Sequence, residues 1–391
     1  EPDNANACYE LATLLHVRGA LGEAEGFFRS TLERKPDHAE AYAALFHLYD
    51  SSGNFAAATS ALEGALRQRP DWVGALINYG RALKKLRRLT ESEAAYRRVI
   101  ALDPAFVPGY RGLGGVLLAQ SRIAEALEVF RSGREFDLEG FDLEMAELFA
   151  LNFTEDMSSD EIFARHRAFG ERLEGKYPPR TEPFRNDRNP ERRLRVGYVS
   201  ADFCRHPVAL FAIPLLAQHD RSVYGIYGYS TGTTQDGVTR QLQSLIDAWR
   251  DAASMSDVEI VEAITRDGID ILVDLTGHAG DFRPGVFARQ AAPVQVTWLG
   301  YPYTTGTTRI QYRLADNTTD PPGCADRYHS EALVRLPYSQ WCYRPFVSVD
   351  GAETPPMKRN GFVTFGSFNE FTKLSPSILR LWTEIFRRLP D

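Results

Sequence analysis

At 391 residues, 43% hydrophobic and 25% charged, the chain has room for two or three globular domains and is neither disordered nor fibrous in composition. A formal net charge of −7 supplies no basic field for neutralising phosphates, so no nucleic-acid partner is expected. Cys8, Cys204, Cys324 and Cys342 are far apart and form no C-x-x-C pair, so neither a disulfide framework nor a zinc site is suggested and a reducing, cytoplasmic compartment fits best. No apolar run reaches membrane-spanning length and no basic-then-apolar leader occurs, so no membrane partner is expected; Glu1 in place of Met suggests a trimmed chain.

Pro36, Pro70 and Pro104 stand 34 residues apart, the period of a helix-turn-helix tetratricopeptide (TPR) unit. The same period aligns Leu11, Leu45, Tyr79 and Leu113 in a first helix and Phe28, Leu62, Tyr96 and Phe130 in a second, with small residues at Ala24, Ala58, Ser92 and Ala126. One unit cannot bury such a stripe alone, so four stacked units are expected over residues 3–138, within a repeat domain spanning 1–140. Arrays of this kind bind extended peptides, which makes protein or peptide partners the expectation. Gly112-Leu113-Gly114-Gly115 has no preceding strand and reads as repeat packing, not as a phosphate loop.

Residues 141–193 read as a helical linker and Pro-rich connector: Ser158 and Glu161 stand at capping-box spacing before an amphipathic helix, and prolines follow at 178, 179, 183 and 190. From Leu194 the pattern becomes α/β. Strands are predicted at 194–200, 224–230, 269–275 and 294–299, and helices at 208–218 and 257–266. That alternation predicts a doubly wound, Rossmann-like lobe over 194–360. Ligands gather beyond the carboxyl ends of such strands, where three polar turns lie: Asp202 to Pro207, Thr276-Gly277-His278, and Gly300-Tyr301-Pro302 through Gly306.

His206 precedes a helix at the end of a strand, where an imidazole can relay a proton; His278 has the same chemistry beside Gly277. Neither has metal-ligand spacing, so no metal is expected. Near the end, a predicted strand at 362–366 runs toward Lys373, with Ser375 and Pro376 suited to open a helix. A lysine beside an open helix N-terminus can hold a diphosphate. Residues 361–391 are accordingly read as the start of a second lobe.

The runs L-R-V-G-Y-V-S-A-D-F with His206-Pro207, D-G-I-D-I-L-V-D-L-T-G-H, A-P-V-Q-V-T-W-L-G-Y-P and F-G-S-F-N-x-x-x-K, combined with the repeats, resemble the TPR-containing protein O-glycosyltransferases. These are the O-GlcNAc transferases and the SPINDLY-type O-fucosyltransferases. The resemblance implies a two-lobed GT-B enzyme, inverting and metal-independent, that needs no cofactor and takes a nucleotide sugar as donor. On it, His206 matches the histidine beside donor sugar and acceptor, and Asp202 a nearby carboxylate proposed in proton relay. Lys373 matches the lysine on the donor diphosphate, while Leu299, Gly300 and Pro302 belong to a loop near the sugar. His278 and Pro207 line the cleft. The implied activity is transfer of one sugar, N-acetylglucosamine from UDP-GlcNAc, to Ser or Thr of intracellular proteins.

Departures keep GDP-fucose open as donor, and an adaptor with an incomplete catalytic lobe open as an alternative. Val208 follows His-Pro where the O-GlcNAc transferases show Thr, and Tyr303 replaces a Gly; Thr304-Thr305-Gly306 is nearer the SPINDLY branch. The asparagine ladder of larger relatives is reduced to Asn78, with Glu10, Ala44 and Gly112 at equivalent positions. Because the second lobe is only begun before Asp391, this stretch is expected to be inactive by itself.

Overall fold

Among the described residues (4–138, 140–347, 351 and 354–389 of a computed structural model), the 34-residue period becomes four helix pairs. These are α1 (Ala5–Val17) with α2 (Leu21–Arg34), α3 (Ala39–Ser51) with α4 (Phe55–Gln68), α5 (Val73–Lys85) with α6 (Leu89–Leu102), and α7 (Val107–Ala119) with α8 (Ile123–Gly133). Phe28, Leu62, Tyr96 and Phe130 are buried, and Ala24, Ala58, Ser92 and Ala126 are 0% exposed. A small side chain at that step lets the helices of a pair approach closely. Ser92 serves there because its hydroxyl donates to the Gly80 carbonyl at 2.6 Å, which satisfies its polar atom. Leu45 and Leu113 are buried and Tyr79 half-buried, whereas Leu11 in the first pair is exposed. A further helix, α9 (Asp142–Leu151), packs against α8 and places Glu147 between Arg131 and Arg134, at 2.8 and 3.0 Å.

The chain divides into two compact units, one made of Glu1–Thr154 with Gly366–Asp391 and the other of Glu155–Phe365. The second opens with α10 (Ser159–Lys176), whose N-terminus carries the expected capping box from Ser158 and Glu161. There follow β1 (Leu194–Ser200), α11 (Pro207–Gln218), β2 (Tyr224–Ser230), α12 (Gly237–Ser244), β3 (Ala248–Asp251), α13 (Asp257–Asp267) and β4 (Ile271–Asp274). After these come α14 (Pro284–Ala288), β5 (Val294–Thr297), β6 (Tyr312–Asp316), β7 (Ala332–Leu336) and α15 (Pro356–Asn360). The sheet has the order β3-β2-β1-β4-β5-β6-β7, and every ladder is parallel. Because β1 is flanked by β2 and β4, the winding reverses there, and the crevice of a doubly wound sheet opens at the carboxyl ends of β1 and β4. Val196, Tyr198 and Val273 from the sheet, and Trp298 just beyond β5, pack with Val208, Ala212 and Leu216 of α11 into its main core.

In the first unit, a 3₁₀ turn (Phe371–Lys373) precedes α16 (Pro376–Arg388), which Ser375 caps by accepting from the Ile378 N–H at 3.3 Å, with Pro376 in the first turn. The strand predicted at 362–366 is not formed. Those residues are exposed and unladdered, and alternating apolar side chains do not hold a strand that has no neighbour to take its backbone hydrogen bonds.

Candidate functional site

The first component is the turn after β1. Ser200 is buried at the strand end, and its hydroxyl accepts the Asp202 N–H at 2.9 Å, which turns the chain out of the sheet. His206 then serves as N-cap of α11: its Nδ1 accepts the Val208 N–H at 3.4 Å and lies 3.7 Å from Asp202 Oδ2. The ring is half-exposed, while the Asp202 side chain is only 21% exposed. Burial raises the Asp202 carboxyl above its ordinary value; the His206 charge opposes that rise, and Asp281 of the loop after β4 adds to it. A carboxylate more basic than usual thus adjoins an imidazole open to solvent. Pro207 is exposed beside them.

The second component is the turn after β4, organised by Asp274, a residue that sequence reasoning passed over. Its carboxylate is 1% exposed and accepts from the N–H groups of Thr276 and Gly277 at 2.9 and 3.1 Å and from the Thr297 hydroxyl at 2.9 Å. Burial pushes the group up to about 6 despite those donors. Its signal was an acid closing a buried strand two residues before Thr276-Gly277-His278, the pattern of a carboxylate that folds a turn over itself. Gly277 has φ +55°, and a Cβ on it would fall 2.3 Å from Tyr301 Cβ, so the turn after β4 is pressed against the loop after β5.

That loop is the third component. The Gly300 N–H reaches the Trp298 carbonyl at 3.0 Å, which closes a γ-turn around Leu299 at φ +79°, a strained conformation for a branched side chain. A Cβ on Gly300 would lie 2.0 Å from the Leu275 carbonyl oxygen, so glycine is required where this loop crosses the end of β4. Leu299 is buried and Pro302 exposed. Farther on, Glu331 is buried beneath Thr304 and Thr305; it accepts the Thr304 hydroxyl and the Thr305 N–H, each at 2.7 Å.

Helix α10 is clamped onto this loop. A Cβ on Gly170 would meet the Gly306 carbonyl oxygen at 2.0 Å, and Glu174 accepts the Thr308 and Arg309 N–H groups at 2.6 and 3.2 Å. Facing inward, His166 sits 5.4 Å from His278 between ring centroids, with Phe169 and Tyr301 packed edge-on to His278. His278 is 2% exposed; its Nε2 donates to the Thr305 carbonyl at 2.9 Å, and its Nδ1 has no partner among the described residues. Burial first, then the neighbouring His166, lowers the His278 ring to about 3. His278 therefore serves as a neutral ring in the floor of the turn. His166 went unnoticed because it is remote in sequence, although it shares the apolar face of α10 with Phe169 and Leu173.

The structure thus brings Asp202, His206, Pro207, His278, Leu299, Gly300 and Pro302 onto turns at the carboxyl end of the sheet. Lys373 belongs to the other unit, where it is exposed and ends the 3₁₀ turn. Among the described residues, no group of three or more His, Cys, Asp or Glu is placed to hold a metal ion, and no helix is long and apolar enough to cross a membrane. No disulfide joins the four cysteines.

The model of glycosyl transferase family 41 matches residues 164–342, and tetratricopeptide repeat models match 43–106 and 80–137. The chain joins tetratricopeptide repeats to a glycosyl transferase family 41 domain. A solved structure of Thermobaculum terrenum O-GlcNAc transferase superposes with a TM-score of 0.80 at 33% identity, covering 90% of this chain and 66% of that one. A tomato (Solanum lycopersicum) protein described as a probable UDP-N-acetylglucosamine–peptide N-acetylglucosaminyltransferase SPINDLY is 39% identical over 247 residues, 62% of this chain and 26% of the relative. A Caenorhabditis elegans UDP-N-acetylglucosamine–peptide N-acetylglucosaminyltransferase is 34% identical over 151 residues, 38% of this chain and 13% of the relative. The chain thus spans about a quarter of the length of the SPINDLY relatives it matches. The family 41 match takes in part of α10 with His166, as well as all three turns; Lys373 lies outside it.

Proposed function

We propose that the chain works in protein O-glycosylation, moving one sugar from a nucleotide sugar to Ser or Thr hydroxyls of cytoplasmic proteins that the repeats help to hold. The observation that carries this reading is the pairing of half-exposed His206 with Asp202, whose carboxyl is raised by burial, at the switch point of a family 41 sheet. In the reaction the acceptor oxygen bonds to the anomeric carbon as the bond from that carbon to the diphosphate breaks. The electron pair leaves with the nucleotide, and inversion follows from attack on the opposite face. The hydroxyl proton passes to the Asp202 and His206 side, where a basic carboxylate and an imidazole adjoin. Lys373 is the residue we assign to the departing diphosphate, as a cation that meets developing negative charge. Pro207, His278, Leu299, Gly300 and Pro302 shape the sugar's surroundings. No step calls on a metal or cofactor.

N-acetylglucosamine from UDP-GlcNAc is the donor this reading favours, since the relatives carry that activity in their names. Fucose from GDP-fucose is the second reading, favoured by Val208 and Tyr303 beside the site. Incubation of the full-length protein with each donor and a mixture of cytoplasmic proteins decides between them, with free nucleotide and added sugar mass as readouts. Added mass from UDP-GlcNAc supports the first and from GDP-fucose the second. Protein capture without nucleotide release from either would leave the repeats as an adaptor and sink both.

A further inference from the structure

Equivalent positions of successive repeats form a slot between neighbouring first helices. One period apart, the slot residues are His16 and His47, then Asp50 and Arg81, then Lys84 and Gly115. In the second slot the Asp50 carboxylate meets the Arg81 guanidinium at 3.1 Å. The third differs in kind. Lys84 extends from α5 over Gly115 of α7, and a Cβ on Gly115 would stand 2.8 Å from the Lys84 Nζ, so the absent side chain is what seats the amine. Lys84 has no hydrogen-bond or ion-pair partner among the described residues. Lys85, Arg111 and Arg87 are the charged groups that act on it, and Arg87 also lies 3.9 Å from the Glu370 carboxylate. Burial and then these three cations hold the Lys84 amine below its ordinary value.

A half-buried ammonium without a counter-ion is a costly arrangement for a protein to keep for its own stability. The preceding slot shows which group fits such a gap, since a carboxylate lies there against a cation within ion-pair distance. We propose that the slot between α5 and α7, where Lys84 lies over Gly115, takes the carboxylate of an acidic side chain on a peptide held along the repeats. This goes beyond the transfer reaction and does not depend on it, because binding to the repeats is measured without donor.

The test uses a fluorescein-labelled peptide of alternating Gly, Ser and Glu and its Glu-to-Gln counterpart, titrated with the full chain and followed by anisotropy. The Glu peptide should bind and weaken as salt is added, and the Gln peptide should bind at least about tenfold more weakly. Lys84→Met, which keeps the stem's packing, should reduce Glu-peptide affinity by about tenfold and leave the Gln peptide unchanged. Gly115→Asp supplies a carboxylate to the flexible end of Lys84 and should block the Glu peptide in the same way, so the test survives if one variant fails to fold. Equal binding of the two peptides, or a folded Lys84→Met or Gly115→Asp chain that holds the Glu peptide as tightly as the parent, overturns the proposal.

Discussion

The Tyr301 hydroxyl lies 2.7 Å from His166 Nε2, and the ring's other nitrogen lies 2.7 Å from the Ile162 carbonyl. A carbonyl only accepts, so Nδ1 carries the proton and Nε2 accepts from tyrosine. This neutral ring, which is 0% exposed, adds a buried tie between the loop after β5 and α10 to those made by Glu174. Tyr301→Phe leaves a buried acceptor without its donor and should destabilise the α/β unit by about 1–3 kcal/mol. A urea midpoint equal to that of the parent would mean that the ring finds another donor.

The same rings set a pH dependence. His166 is lowered to about 4 and His278 to about 3, chiefly by burial, and His219 and His329 are shifted in the same direction. Above the ordinary histidine range, folded and unfolded states both hold these rings neutral. As pH falls below it the unfolded chain takes up protons that the folded chain refuses, so stability declines by about 1.4 kcal/mol per pH unit for each of His166 and His278, until their folded values are reached. Asp274, pushed up to about 6, works in the opposite sense and offsets part of the loss. The urea midpoint should therefore drop between pH 7 and about pH 5.5. A His166→Gln chain should show a shallower drop; an unchanged slope would remove His166 from the account.

The repeats were legible because a period of 34 residues tests itself at several positions, and β1 and β2 because their apolar runs are long. The strands β3, β6 and β7 escaped notice: Arg250, Arg313 and Arg335 interrupt runs of four or five residues. Arg313 is buried, and its guanidinium donates to the Tyr303 carbonyl at 3.0 Å, a partner that no local pattern reveals. The turn at Asp202 and His206 was legible as a strand-to-helix junction. The packing beneath the turns was not, since His166, Asp274, Tyr301 and Glu331 converge from four separate stretches of sequence.

The contact between Gly170 and Gly306 makes a steric prediction. With the Gly306 carbonyl 2.0 Å from where a Cβ would stand, Gly170→Ala cannot be accommodated by a rotamer change, because the obstacle is backbone. The substitution should cost about 1–3 kcal/mol or more and lift α10 from the Thr304-Thr305-Gly306 loop. Amide exchange should quicken in both segments, and unchanged protection there would contradict the close approach.

The proposed chemistry predicts that three substitutions fall into two classes in a transfer-competent protein. His206→Ala should lower turnover by roughly a hundredfold while nucleotide affinity stays near that of the parent, as loss of acceptor-side proton handling requires. Asp202→Asn should fall in the same class. Lys373→Met should weaken both donor affinity and turnover, by about 2–4 kcal/mol in the transition state. A fully active His206→Ala chain would make that residue a helix cap alone, and unchanged kinetics in Lys373→Met would leave it an exposed lysine.

The turns inside the four repeats offer a final test, because the structure repeats one backbone conformation on four different residues. Gly19 and Gly53 adopt φ +78° and +73°, and one and two periods later Arg87 and Ser121 adopt +62° and +61°. A side chain in this region costs about 1–2 kcal/mol, which glycine avoids. Glycine also gives the unfolded chain more freedom, worth about 0.5–1 kcal/mol in the opposite sense. Arg87→Gly should therefore stabilise the repeats by no more than about 1.5 kcal/mol, and the exposed pair with Glu370 at 3.9 Å forfeits little of that. Ser121 has a competing role, since its hydroxyl donates to the Phe371 carbonyl at 3.0 Å, while Thr372 donates to Leu118 at 2.9 Å. Ser121→Gly relieves the same strain but releases one of the two bonds that hold the turn preceding α16. Thermal unfolding of the two variants should rank Arg87→Gly above Ser121→Gly, and the reverse order would show that strain at these turns is smaller than the contacts they make.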